Sequence, residues 1–201
     1  MAIRSLIQLS ILAFAFASSC LALTTLNPRD TPANGSSQAV LEEPFLKFDD
    51  TRIADNCDKV LLSRIKTYFD AFVNGDADAL RDQEAPEYNI TDIPLTLVRL
   101  PREPWYQANK AFVSLTADTQ VIAISLYGSS RPGAFAIMEN VIWFTLTGDP
   151  GPGALEGYKV GDRVGMIMLT ALWWNAGGKV VHELEYGRLT WEGFNITEFY
   201  Q

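Results

Sequence analysis

The chain has 201 residues, with 24 acidic against 16 basic side chains for a net charge of -8, a single histidine and two cysteines. The acidic balance speaks against nucleic acid as a partner, and one imidazole cannot build a zinc or non-haem iron site that rests on two histidines. No turn has the phosphate-cradling pattern, since Gly177-Gly178-Lys179 continues with Val180, and no serine sits in the strand-to-helix elbow of a hydrolase.

What remains is acid and base chemistry by carboxylates, with neither metal nor cofactor expected. Residues 1–22 read as a secretory signal: Arg4, an apolar run from Leu6 to Ala17, then small residues with a cut after Ser19 or Ala22. The alternative is an uncleaved anchor over residues 5–23, although Gln8 and Ser10 interrupt a run already short for a membrane span. The expected location is therefore the secretory pathway, with membrane attachment only if the segment stays. Sequons at Asn34, Asn89 and Asn195 fit that route as glycosylation sites. Residues 23–50, rich in Pro, Ser, Thr, Asn and Asp without a period, are expected to be a flexible leader. Residues 51–201 then form one domain, and Cys57 is left alone in the mature chain, so no intrachain disulfide is expected.

Asp55 to Val73 carries Cys57, Val60, Leu61, Ile65, Tyr68, Phe69 and Phe72 at three- and four-residue spacing, one buried helix face that Asn74-Gly75 ends. Asp76 can cap a short second helix through Gln83 by accepting from Asp78 or Ala79, with Pro86 beyond it. Glu87 to Leu97 reads as a short strand or extended loop broken by Pro94. Pro104 opens a third helix with Trp105, Ala108, Phe112 and Leu115 on its buried face. Four strands follow over Gln120–Tyr127, Ala134–Thr147, Lys159–Asn175 and Lys179–Trp191; their short connections make neighbours antiparallel, and Gly165 marks a bulge or bend. The predicted class is α+β: a cone-shaped barrel with three N-terminal helices packed in a strongly curved antiparallel sheet.

In the last strand Val181, Glu183 and Glu185 face one way and His182, Leu184 and Tyr186 the other, so only one set can line the interior. His182 is either a site imidazole or a partner on the outer face or at a dimer seam. Glu183 and Glu185 are either pocket acids or part of a solvated face. Asp92, before Ile93-Pro94, is either a site acid or a turn former. Glu139 and Asn140 have opposite orientations in mid-strand, so one of them is buried and needs a partner. Trp105, Phe144 and Trp173 belong to an aromatic set that would suit a flat hydrophobic ligand.

The order of helices and strands, ending in Gly178-Lys179-Val180-Val181-His182-Glu183-Leu184-Glu185-Tyr186, resembles the nuclear transport factor 2-like superfamily, nearest its SnoaL-like polyketide cyclases and limonene epoxide hydrolase. Two places carry the resemblance specifically. Asp92-Ile93-Pro94-Leu95 is similar to the epoxide hydrolase motif Asn-x-Pro-Leu, which implies that Asp92 contacts the attacking water. Glu185-Tyr186 is similar to an Asp-Tyr pair whose Asp is catalytic, which places Glu185 ahead of His182. Glu139-Asn140-Val141-Ile142 departs from Glu-Arg-Val-Asp, so an Asp-Arg-Asp relay is excluded. The resemblance implies a fungal secretory-pathway enzyme that opens an epoxide or cyclises a small hydrophobic polyketide. Its expected catalytic residues are Asp92, Glu185, Asn140, His182 and Tyr68, and its expected substrate contacts are Trp105, Phe144, Trp173 and Glu183. The alternatives are a secreted carrier without chemistry and a homodimeric interaction domain using the outer sheet face.

Overall fold

The computed structural model describes residues 45–48, 59–153 and 155–199. The expected signal, the sequon at Asn34 and Cys57 lie outside the described residues. Among the described residues no helix is long and apolar enough to cross a membrane.

Strand β1 (Phe45–Phe48) falls inside the segment expected to be a flexible leader, which corrects that boundary: these four residues pair with the body of the fold. Helix α1 (Lys59–Val73) buries Leu61, Ile65, Tyr68 and Phe69 at the expected spacing, but Val60 is 57 % exposed, so the buried stripe is centred on Leu61. The helix ends in a left-handed turn at Gly75 (φ +66°), where Gly75 N–H donates to Phe72 O at 3.0 Å and Asp76 N–H to Ala71 O at 2.9 Å. Those two bonds satisfy carbonyls that the helix itself leaves open. Asp76 then caps α2 (Ala77–Gln83) by accepting from the Ala79 amide at 2.9 Å.

Strand β2 (Glu84–Asp92) starts earlier than the segment anticipated around Glu87, and its pairing with a neighbour lapses between Glu84 and Asn89. Pro86 lies in that gap, where a residue without an N–H does least harm. A turn leads to β3 (Leu97–Pro101) and directly into α3 (Arg102–Leu115), so Pro104 sits in the first turn rather than at the helix start. Trp105, Ala108, Phe112 and Leu115 are only half-buried, the first three because they border a cavity instead of packed side chains; the buried residue of α3 is Asn109.

Strands β4 (Thr116–Gly128), β5 (Phe135–Leu146), β6 (Arg163–Trp174) and β7 (Val180–Leu189) form an antiparallel meander, and a turn of helix, α4 (Ile196–Phe199), follows. Strand β6 begins later than expected because Lys159–Asp162 is a turn, with the Lys159 amide donating to the Asp162 carboxylate at 2.8 Å. The seven-stranded sheet runs β1-β4-β5-β6-β7-β2-β3. Its ends are parallel, β1 against β4 and β2 against β7, so the sheet is mixed around an antiparallel centre.

Curvature comes from irregular register in β4, between Ala117 and Gln120 and again between Ala123 and Ser125. Asp118, at φ +47°, is held in the first of these by accepting from Thr145 N–H at 2.9 Å and from the Arg163 guanidinium at 2.7 Å. Gly165 is not a bulge, since the β5–β6 register runs through it unbroken; a Cβ there would lie 2.3 Å from the Trp143 ring. The concave face carries Met138, Ile142, Phe144, Met166, Met168 and Leu172, and α1 packs its buried residues into the same core.

Gly187 faces that concavity, and a Cβ on it would stand 2.1 Å from the carbonyl oxygen of Ile167, a backbone atom that cannot step aside. Gly187→Ala is expected to cost about 1–3 kcal/mol or more, as overpacking does; urea unfolding would read this as a lower midpoint, and an unchanged midpoint would contradict the packing described.

Candidate active site

Strand parity and register assemble the site. On β7 the odd residues Glu183 and Glu185 point into the concavity; opposite them on β6 stand Leu172 and Thr170, and on β2 Ile90 and Asp92. Thr170, Glu185 and Asp92 therefore lie abreast on three neighbouring strands, with Leu172, Glu183 and Ile90 in the adjoining row. All three acids are buried, at 2 % exposure for Asp92, 3 % for Glu183 and 7 % for Glu185. They line a cavity of about 690 Å³ whose other walls are largely apolar, including Phe69 and Phe72 of α1, Trp105 and Phe112 of α3, and Leu155 and Pro152 of the β5–β6 loop.

The Asp92 and Glu185 carboxyl groups hydrogen-bond to each other. Two carboxylates so close in an apolar setting cannot both ionise, so the pair holds one proton. Burial raises both, and Glu185 is driven well above the usual range by burial and then by the charges of Asp92 and Glu183. Asp92 is the acceptor of the pair, because burial is opposed there by the Leu95 N–H, which donates to Oδ1 at 2.8 Å, and by the bond from Glu185. The same Leu95 contact makes Asp92 a turn former, so the two readings of this residue coexist. Behind Glu185, Thr170 donates to Oε1 at 3.1 Å and accepts from Asn140 Nδ2 at 3.1 Å.

One row away, the phenols of Tyr68 and Tyr88 both donate to Glu183 Oε2 at 2.5 Å. Burial pushes Glu183 up to about 7 while these two donors pull it back. Both phenols are themselves raised well above their ordinary range, by burial first and by the charge of Glu183 next. A fourth acid, Glu84, is 3 % exposed and is pushed to about 8 by burial and by Glu183, offset in part by Arg102, the Trp105 indole and Arg81. Arg102 Nε stands 3.7 Å from Glu84 Oε2, an ion pair without a hydrogen bond, and Trp105 Nε1 also stops short of one. Among the described residues no group of three or more His, Cys, Asp or Glu side chains is placed to hold a metal ion.

The structure thus gathers Asp92, Glu185, Glu183, Tyr68 and Trp105 around one cavity. It separates others and corrects their expected roles. His182 points to the convex face, where Nδ1 meets the Asn89 side-chain oxygen at 2.9 Å and the ring packs on Trp173 at 4.9 Å, so it cannot reach a cavity ligand. Trp173 lies on that same face between His182 and Phe135, away from the cavity. Phe144 is fully buried beneath Phe112, 4.9 Å away, and supports the wall without forming it. Asn140 is also fully buried and reaches the acids only through Thr170. The sequon residue Asn195 is exposed before α4, whereas Asn89 is half-buried against His182.

Sequence reasoning missed Tyr88, Thr170 and Glu84. Tyr88 shares the parity of Ile90 and Asp92, so a strand drawn from Glu84 would have aimed it inward. Thr170 needed the β6–β7 register, and Glu84 sits at a helix-to-strand junction where no period applies.

No protein-family model matches the chain, and no curated protein sequence matches it. Solved structures do. A protein described as a SnoaL-like polyketide cyclase from Shewanella putrefaciens is 15 % identical and superposes with a TM-score of 0.52 over 65 % of this chain and 91 % of that one. The chain has the nuclear transport factor 2-like fold. SalBIII, an epoxide hydrolase/cyclase-like enzyme in pyran ring formation in the polyether salinomycin, is 16 % identical, with a TM-score of 0.50 over 63 % of this chain and 88 % of its own. TsrD from Streptomyces laurentii gives 16 % and 0.50 over 66 % and 91 %. At such identities the likeness is one of fold, and in this nuclear transport factor 2-like cone the chemistry must be argued from the acids themselves.

Two consequences can be measured. Glu183 and Glu84 hold their protons in the folded state up to about 7 and 8, against an ordinary value of 4.5. Their contribution is thus fully favourable below about pH 4.5 and is lost as pH rises through 7 and 8. Thermal melts from pH 5 to 8.5 should show a falling melting temperature and a shallower fall in Glu84→Gln; a rise across that window would contradict these assignments. His182→Gln should cost about 1 kcal/mol from its bond to Asn89 yet leave ligand binding in the cavity unaltered, as calorimetry with a bound hydrophobe would register.

Proposed function

We propose that this chain is a cofactor-free acid/base enzyme that opens an epoxide or closes a ring on a small, largely apolar molecule, with polyketide-derived compounds as the favoured class. The observation that carries the reading is the pair of buried carboxyl groups, Asp92 and Glu185, set side by side on neighbouring strands at a largely apolar cavity wall, where burial raises both above the usual carboxylate range. A cavity of about 690 Å³ falls within the ordinary range for a drug-sized ligand.

The step balances without any other reagent. Asp92 takes the proton of a water, or of a hydroxyl on the substrate itself; the oxygen so activated bonds to an epoxide carbon, the carbon–oxygen bond of the ring breaks, and the departing oxygen receives a proton from a protonated carboxyl group on the same wall. Glu185 keeps Asp92 in its accepting role by donating to it, and Thr170, oriented by Asn140, fixes the Glu185 carboxyl plane. An internal hydroxyl in place of water turns the same step into cyclisation. The apolar walls exclude bulk water, which strengthens each of these polar interactions.

Asp92→Asn and Glu185→Gln are each expected to lower kcat by about 100-fold or more on a panel of alkyl and aryl epoxides and hydroxy-epoxides, assayed by product chromatography with folding checked by near-ultraviolet circular dichroism. Unchanged turnover in both folded variants would rule the mechanism out. Retention of an unaltered hydrophobic compound by the native protein, seen in native mass spectrometry together with no turnover, would establish the carrier reading instead.

A further inference from the structure

Three buried carboxyl groups border the cavity, with the exposed Glu103 at its rim paired to Arg81, and Asp92 and Glu185 account for two of the three. We propose that Glu183 is a catalytic residue, the donor of the proton to the departing oxygen, and that Tyr68 and Tyr88 are its positioning residues. The inference rests on the acid/base reading above and assigns the second half of its proton traffic.

Geometry separates the two stations. Glu183 and Glu185 are two residues apart on one strand and one face, a spacing of roughly 6.6–6.8 Å along β7. A backbone spacing of that size allows the two carboxyl groups to stand roughly 6.5–9.5 Å apart, the separation that in glycoside hydrolysis leaves room for a water between general acid and general base. Here a base at Asp92 and Glu185 and an acid at Glu183 would flank the carbon under attack. Glu185 is a poor candidate for that donor, since its proton is directed at Asp92 and its Oε1 is engaged by Thr170.

The tyrosines decide the rest. Both phenols bind the same oxygen of Glu183, Oε2, and neither binds Oε1. A carboxylic acid can therefore present its proton from Oε1 while Oε2 goes on accepting. When that proton leaves, the new negative charge is already met by two O–H donors from different elements, Tyr68 of α1 and Tyr88 of β2, which are 3.3 Å apart and need not move. The other titratable groups facing Glu183 are Glu84 and Asp92 from β2 and Glu185 on its own strand, with Arg102 of α3 beside Glu84. Burial and these acids favour the protonated form, the phenols favour the anion, and the balance near 7 suits a group that must give up its proton at neutral pH. Tyr68 and Tyr88 do not replace it as donors, because both are pushed above the ordinary phenol range.

The test compares Glu183→Gln, Glu183→Asp, Tyr88→Phe, Asp92→Asn and Glu185→Gln by kcat against pH on the same epoxide panel. Glu183→Gln should lose about 100-fold or more in kcat together with the alkaline limb of the profile, and the loss should shrink for substrates whose departing oxygen is a weaker base. Glu183→Asp should restore part of the rate and the limb. Tyr88→Phe should move the limb to higher pH, since a donor to the anion is gone. If Glu183→Gln or, should it not fold, Tyr88→Phe keeps the wild-type limb while Asp92→Asn and Glu185→Gln are inactive, Glu183 is a structural acid and the inference falls while the acid/base reading stands. If Asp92→Asn and Glu185→Gln are fully active, or the wild-type protein turns over nothing in the panel, the acid/base reading falls and takes the inference with it.

Discussion

The site depends on one pairing: β2 lies parallel to β7 with Ile90 opposite Glu183 and Asp92 opposite Glu185. The two segments are separated by nearly a hundred residues, and neither carries more than one member of the proton pair. A slip of a single residue would turn Asp92 to the convex face and leave Glu185 buried alone. The Ile93 amide extends the ladder by donating to Glu185 O at 2.9 Å, and Leu95 folds back onto the Asp92 carboxylate, so the register is pinned where the two acids meet. The same pairing explains why the sheet is mixed, because only a parallel approach from the helix end of the chain delivers Asp92 alongside a strand that belongs to the C-terminal meander.

That arrangement costs stability. Four buried carboxyl groups, Glu84 and Asp92 of β2 and Glu183 and Glu185 of β7, cluster on two neighbouring strands, and among the described residues Arg102 alone stands within ion-pair distance of any of them, facing Glu84. Such a cluster survives by keeping protons, and the cone supplies neutral donors in place of cations: two phenols, a hydroxyl and a backbone amide. Charge held by preorganised neutral dipoles can change sign of occupancy during a reaction without a salt bridge having to break. The convex face works differently. His182, Trp173, Phe135 and Asn89 form a stacked and hydrogen-bonded set there that stabilises the sheet and takes no part in the cavity.

Much of this was legible in the sequence wherever a period acts. Three- and four-residue spacing located α1 and placed Tyr68 inward, and alternation along the last strand put Glu183 and Glu185 on one face and His182 on the other. The two motif positions that resemble epoxide hydrolase, Asp92 and Glu185, are the two that meet. Where the resemblance breaks, Ile142 lines the cavity as an apolar wall and Asn140 stands behind Thr170. Illegible were features set by register between distant strands: Thr170 beneath Glu185, Tyr88 beside Tyr68, and β1 pairing with β4 from within an otherwise unpatterned leader. Trp173 and Phe144 were misplaced because aromatic content says nothing about which side of a sheet a ring occupies.

The most direct trial of the central claim is to count protonated carboxyl groups by infrared spectroscopy of the carboxylic C=O stretch at pH 7, in the wild-type protein and in Asp92→Asn and Glu185→Gln. A shared proton predicts a buried, exchange-protected carboxylic acid band in the wild type that shifts or disappears when either partner is replaced. A spectrum in which both groups are fully ionised at neutral pH, with no band assignable to the pair, would contradict the account.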